Sequence, residues 1–313
     1  MSTNEAAGEA AGLVVADLRR RRRPHERLVL GLLQGAALLS ILITVGIVVA
    51  LLRPAIDFFQ EVPVLDFLTG TNWRPNLDPV DYGVLPLVAG TFMTTAIALA
   101  LAVPFGLGAA MYLSEYAADR TRRRLKPVLE LLAGVPSVVY GFFALQFITP
   151  TVLQGWLGIN VGFTNALAAG LILGVMIIPT VASLAEDAMS AVPQALRHGS
   201  LAMGANRMQT TLRVVFPAAF SGISAAVVLG LSRAVGETMI VALASGGRPN
   251  LTFDAREGMQ TMTGYIAATT GGENPVGSVS YNTLFAVGLL LFVLTLIVNI
   301  ISIALVRRIR QVY

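Results

Sequence analysis

Six mostly apolar runs, each long enough for the roughly 20 helical residues that cross a hydrocarbon core, divide the 313-residue chain: Leu28–Leu52, Leu85–Leu113, Pro127–Thr149, Asn165–Met189, Ala218–Ser245 and Tyr281–Val306. The first is too long for the apolar region of a secretion signal and has no small-residue cleavage site, so it reads as a retained span. The pattern predicts an all-α polytopic membrane protein with six transmembrane helices. It gives a tail (1–27), a first span (28–52), a polar loop (53–84) and a larger core (85–313). The loop contains FLTGTNWRPNLDPVDYG, rich in turn-formers, with Trp73 suited to a membrane interface. A second outer loop, 246–280, is Gly- and Thr-rich. Its one apolar patch, MQTMTGYIAA (Met259–Ala268), predicts a short helix lying on the outer surface or a flexible connection. The first sixteen or so residues are Ala/Gly/Glu-rich, a composition expected of disorder.

Only 13% of residues are charged and 55% are hydrophobic, against about a quarter charged in soluble domains. The basic residues are sorted by loop. Seventeen of the 22 fall in the first tail, after the second and fourth runs, or in the last tail. Arg53, Arg74, Arg248 and Arg256 face the other side, and Arg233 is the remaining one. This bias predicts both termini on the cytoplasmic side of a cell inner or plasma membrane, and it argues against nucleic acid as partner. The run Arg19–Arg23 is suited to anionic lipid head groups. With no cysteine, neither a disulfide framework nor a thiolate metal site is possible. Lys126, the single lysine, stands in RRRLKP before Pro127, so no nucleotide-binding P-loop exists. His25 and His198 have no ligand cluster around them, and no nucleophile–base motif occurs. The expectation is no metal, no cofactor, no catalytic residue and no enzyme activity of its own.

The segment between the fourth and fifth runs, 186–217, is long and patterned. Leu201, Met208, Leu212 and Phe216 recur at helical spacing, between Pro193 and Pro217. Gly204 and Ala205 offer a bare backbone face, and such a helix suits a groove on a cytoplasmic partner. Glu186, Asp187 and Ala188, then Gly204, then Phe216–Pro217 resemble the EAA loop of ABC importer permeases, with EDA in place of EAA. LGAAMYLSEYA, LLAGVPSVVYGFF, SLAMGANRMQTTLRVVFPAA and SRAVGETMIVALA, in that order, resemble phosphate-specific ABC permeases, and FLTGTNWRP with the long first tail is more similar to the PstC than to the PstA type. The resemblance implies a type I ABC importer permease (MetI-like) fold. It also implies a coupling helix near Gly199–Asn206 through which Gly199, Ser200, Leu201, Ala202, Gly204, Ala205 and Asn206, with Glu186 and Asp187 at the head of the loop, engage an ATPase subunit.

Glu237 is the only carboxylate deep in an apolar run, and Arg233, four residues earlier, is the only deep cation. Glu130 lies one turn into the third run, near its edge. A mid-bilayer charge costs about 2.5–3.5 kcal/mol on insertion scales. One reading is an i, i+4 salt bridge, although Arg-before-Glu is the weaker order. The other is that both charges face an aqueous path. A guanidinium fork then suits a tetrahedral oxyanion, and a carboxylate that only accepts hydrogen bonds favours an anion still carrying a proton. Pro136 in AGVPSVVYG predicts irregular backbone that lines a cavity, with Ser137 and Tyr140 offering hydroxyls, or else a kinked packing helix. Thr91, Thr94 and Thr95 offer hydroxyls to the same path or, as is more common, contacts between helices.

The resemblance implies a permease subunit that forms half the path for inorganic phosphate. Its partners would be a PstA-like permease, a PstB-like ATPase dimer that binds the ATP, and a PstS-like phosphate-binding protein. The alternatives are a permease for sulfate or molybdate, or an ATP-independent anion channel or secondary transporter.

Overall fold

Gly170 and Gly174 set how closely the two central helices meet. In the computed structural model, which describes residues 24–272 and 274–309, a Cβ on Gly170 would lie 2.6 Å from the Ile97 Cβ, and one on Gly174 2.8 Å from the Ala98 carbonyl oxygen. Lipid supplies no hydrophobic drive between helices, so small residues one turn apart allow dispersion contacts to do that work.

The chain starts with α1 (Pro24–Glu61) and α2 (Val64–Thr69). A two-residue antiparallel ribbon follows, β1 (Trp73–Arg74) with β2 (Asp81–Tyr82), Trp73 opposite Tyr82. Then come α3 (Leu85–Met111), extended by a wide turn over Tyr112–Tyr116, α4 (Asp119–Ala133), and α5 (Ser137–Phe143), extended by wide turns over Ala144–Trp156. Next are α6 (Ala166–Ser190), α7 (Gln194–Ala202) and α8 (Arg207–Thr210), which runs on to Ala218. Last are α9 (Phe220–Gly236), α10 (Met239–Ala244), α11 (Met262–Thr270) and α12 (Val279–Ile309). Five stretches are long and apolar enough to cross a membrane: Leu28–Glu61, Leu85–Tyr116, Ser137–Trp156, Ala166–Ser190 and Val279–Ala304. A further stretch, fifth in chain order, meets the same test as a bent pair: α9 leaves the Arg207–Ala218 helix at 73°.

The chain divides into two units at Ala50–Leu51. In the first, Pro24–Ala50 is helix with Leu32, Ile41 and Val49 exposed, as a lipid-facing helix requires. In the second, the largest core joins α3, α6, α9 and α10 through Ala98, Ala102, Ile172, Leu173, Met176, Val181, Ala234 and Ile240. A second cluster packs Phe58, Phe67, Trp73, Leu87, Met262, Tyr265 and Val287. A third, around Ala110, Ala185, Met189, Val215 and Ile223, seats the 186–217 loop. Thr91 donates to the Leu87 carbonyl (2.9 Å) and accepts from the Met262 N–H (3.0 Å), so it joins two helices as expected.

Several expectations need correction. The third span begins at Ser137, not Pro127. Val128–Ala133 belongs to the amphipathic α4, where Leu129 is half-buried and Val128, Leu131 and Leu132 are exposed, so Glu130 is exposed on that helix and not inside a span. Pro136 is not a mid-span kink but the residue preceding α5. Lacking an N–H, it stops α4 from running on, and its carbonyl accepts from Val139 at 3.0 Å. The Met259–Ala268 patch does not lie on the surface: Met259, Thr261, Met262 and Tyr265 are buried against the membrane helices. Trp73 is likewise buried, edge-on to Tyr265 at 5.0 Å between ring centroids. The Ala/Gly/Glu-rich start and Arg19–Arg23 lie outside the described residues.

Gly174→Ala should destabilise the protein by about 1–3 kcal/mol, the scale of overpacking. Gly108→Ala, where nothing lies within 4 Å of a built Cβ, should leave stability unchanged or slightly raised. Thermal unfolding of the two variants in one detergent checks the difference.

Candidate functional site

The fifth pass is not one helix. α9 stops at Gly236, Glu237 is extended (φ −66°, ψ 134°), and α10 starts at Met239. Gly236 is a poor helix former, and the Glu237 side chain stabilises the break: Oε1 accepts from the N–H groups of Met239 (3.1 Å) and Ile240 (3.4 Å), capping α10 where its dipole is positive. The Glu237 carbonyl, freed from any helix, accepts from the Thr263 hydroxyl at 2.6 Å. The buried Met259–Tyr265 segment thus fills the gap opened by the break. Ser245 and Met259 tie its start, the Ser245 carbonyl accepting the Met259 N–H at 2.9 Å.

Arg233 sits in the last turn of α9, three residues before its Gly236 end. Its side chain is exposed, and Nη1 donates to the Thr180 hydroxyl of α6 at 3.3 Å. Among the described residues Arg233 and Glu237 form no ion pair. The break displaces Glu237 from the helical position that an i, i+4 bridge needs. Tyr140 lies within coulombic reach of Arg233, and its hydroxyl donates to the Leu132 carbonyl at 3.0 Å. Ser137 is one turn before Tyr140 on α5, half-buried. α5 packs tightly on α10: a Cβ at Gly141 would lie 2.8 Å from Leu243 Cδ1. The structure therefore groups Arg233, Tyr140 and Thr180, while Glu237 stands at the neighbouring break. Sequence reasoning missed Thr180 and Thr263, since a lone threonine in an apolar run carries no signal of its own.

The 186–217 loop is anchored and exposed in different parts. Glu186 is only 1% exposed and pairs with Arg122 and with Lys126 (2.9 Å) of α4, while Ser190 donates to it at 2.8 Å. Asp187 also pairs with Lys126, whose ammonium is held above its usual range by these two carboxylates. Arg197, 8% exposed, bonds Glu115 through Nη2 (2.8 Å) and Nε (3.2 Å), and donates to the Met189 carbonyl at 2.8 Å. Beyond these anchors the surface opens. Leu201, Met203 (89% exposed), Met208 and Leu212 present apolar side chains. Gly204, at φ +86°, makes the turn between α7 and α8 and has nothing within 4 Å of a built Cβ. Asn206 caps α8 in a reciprocal box with Gln209 (2.8 and 2.9 Å). Gly199 and Ala202 are exposed, and Ser200 and Ala205 half-buried; Ser200 is 3.0 Å from the Thr210 hydroxyl.

At the opposite end, a cleft of about 630 Å³ is lined by Phe163, Thr164, Arg248, Asn250, Arg256 and Glu257 among others. Arg256 pairs with Asp254 at 2.6 Å and holds that carboxyl down at about 2.

A family model described as binding-protein-dependent transport system inner membrane component matches residues 102–311. The chain is 38% identical over 267 residues to the probable ABC transporter permease protein YqgH of Bacillus subtilis, covering 83% of this chain and 84% of that one. It is 36% identical to the phosphate transport system permease protein PstC 1 of Mycobacterium tuberculosis, covering 79% and 83%. In fold it is similar to a subunit of a bacterial ABC transporter involved in alginate import (TM-score 0.64, 14% identity, 92% and 97% covered). The MetNI methionine ABC transporter is also similar (TM-score 0.52, 23% identity, 73% and 95% covered).

Glu115→Gln should leave the Arg197 guanidinium buried without its charge partner, at a cost of about 3–5 kcal/mol. Limited trypsin digestion should then cut the 194–213 segment faster than in the unaltered protein, and the unfolding midpoint should fall.

Proposed function

The chain belongs to the family of binding-protein-dependent transport system inner membrane components, and we propose that within this family of importer permeases it is the PstC-type subunit for inorganic phosphate. The observation that carries the reading is Arg233, a guanidinium within an apolar run that is exposed on the protein surface and, among the described residues, held by a hydroxyl. An exposed charge within a membrane span faces water or a second subunit rather than lipid. Several relatives are named as phosphate permeases.

In the proposed path the anion exchanges the Thr180 contact for its own oxygens on the Arg233 fork, which matches a tetrahedral oxyanion in a way an ammonium does not. The hydroxyls of Tyr140 and Ser137 lie along the same wall. Glu237 spends one oxygen on the α10 N-terminus; the other accepts a hydrogen bond from an anion that keeps a proton, which favours hydrogen phosphate over sulfate. A PstA-like permease closes the other half of the path, and a PstS-like protein delivers phosphate at the outer cleft.

A PstB-like ATPase dimer binds the ATP and receives the exposed apolar strip Leu201, Met203, Met208 and Leu212 at the cytoplasmic face. Gly199–Asn206 forms the contact, with Gly204 and Ala205 allowing close approach. Glu186 and Asp187 act from behind it, holding the loop to α4, because Glu186 is too buried to touch a partner.

ATP-driven uptake into vesicles carrying the whole complex tests this. Arg233→Lys should lower phosphate flux by roughly an order of magnitude, the scale of one charge-assisted hydrogen bond. Glu237→Gln keeps an oxygen for the α10 cap but loses the charge, so sulfate should compete better while the fold is retained. Leu201→Asp should abolish substrate-stimulated ATP hydrolysis while leaving the ATPase's basal rate. Wild-type flux and selectivity in the first two variants would refute the path, and uptake that persists without the ATPase would favour a channel or secondary transporter.

A further inference from the structure

α4 buries none of its fifteen residues, and its turns sort the side chains into two strips. Arg122, Lys126 and Leu129 are half-buried on the side that holds Glu186. At about 100° per residue, the far side carries Leu125, Val128, Leu131 and Leu132, exposed by 41–74%. Exposed Arg124 stands between Leu131 and Val128 on that arc, and exposed Arg120 and Arg123 continue beyond Leu131 toward exposed Glu130; the three arginines pair with no carboxylate among the described residues.

We propose that α4 is an interfacial helix that binds anionic phospholipid. Its four apolar side chains lie among the upper acyl segments, and Arg120, Arg123 and Arg124 rest on the head groups. Two independent observations select a lipid surface. The chain enters its third span at Ser137, four residues after α4 ends at Ala133, a reach of about 14 Å at most. The Tyr140 hydroxyl of that span grips the Leu132 carbonyl at 3.0 Å, so the last turn of α4 is held at the membrane boundary. The second observation is charge: an exposed apolar strip edged by arginines, with long stems that lie on apolar surface while their heads reach water, complements an anionic leaflet. The opposite strip clamps Glu186 and Asp187 at the head of the 186–217 loop, so lipid that seats α4 also fixes where that loop begins.

The chain has no cysteine, so Val128→Cys and Leu131→Cys each give a single labelling site for bimane in this subunit, which is labelled and then assembled with its unlabelled partners. In vesicles of mixed phosphatidylcholine and phosphatidylglycerol, nitroxide lipids should quench both labels strongly and aqueous iodide weakly, with His198→Cys showing the reverse. Quenching by nitroxide-phosphatidylglycerol should exceed that by nitroxide-phosphatidylcholine several-fold at Leu131→Cys. The excess should vanish when Arg120→Gln, Arg123→Gln and Arg124→Gln are combined, with the unfolding midpoint unchanged. Iodide quenching equal to that at His198→Cys would place the strip in water, and protection from both quenchers would place it under protein; either overturns the proposal. An excess that survives the triple substitution would overturn the role of the arginines.

Discussion

In hydrocarbon an unpaired backbone N–H or C=O costs several kcal/mol, and the break between Gly236 and Met239 is where this chain meets that constraint. Glu237 accepts the first free N–H groups of α10, and Thr263 donates to the carbonyl that the break releases. Thr263 can do so only because Met259–Tyr265 runs back inward, which in turn requires the Thr91 bond to Met262 and the close approach of Gly264 to Ala242. The inward segment, the split helix and the position of the Glu237 carboxylate are one arrangement. None of the three stands without the others.

The same logic of paired charge governs the other end. Glu186 would be costly at 1% exposure were it not held by two cations and a hydroxyl. Arg197 answers in the opposite sense, a buried cation pinned by Glu115 and two carbonyls. These anchors join the loop to α3, α4 and α6 at once, while its tip is left apolar and exposed. In the proposed coupling to an ATPase, a loop stiff behind and bare in front suits a surface that receives force.

Much of this was legible in the sequence because lipid imposes a length and a polarity on every span. The number of runs and the patterned loop followed from that constraint. Two kinds of feature did not. Val128–Ala133 is apolar enough to extend the third run, and only the basic residues sharing its turns separate an in-plane helix from a span. The inward segment reads from the sequence as an outer-surface helix or a flexible connection because its polarity is moderate; its burial depends on bonds to Thr91 and Glu237 contributed by distant parts of the chain. The pairing of Arg233 with Glu237 failed for a local reason, since helical spacing means nothing across a residue that is not helical.

The partner that holds Arg233 bears on kinetics. A guanidinium parked on a neutral hydroxyl at 3.3 Å loses little when it lets go, whereas one locked to a carboxylate would have to give up a full charge pair. A visiting oxyanion in the proposed path therefore meets a resting side chain that is positioned yet readily surrendered. On departure, Thr180 is there to take the cation back. In that path a reversible resting contact would shorten the dwell time at Arg233, and a carrier gains turnover from a shallow well more than from a deep one.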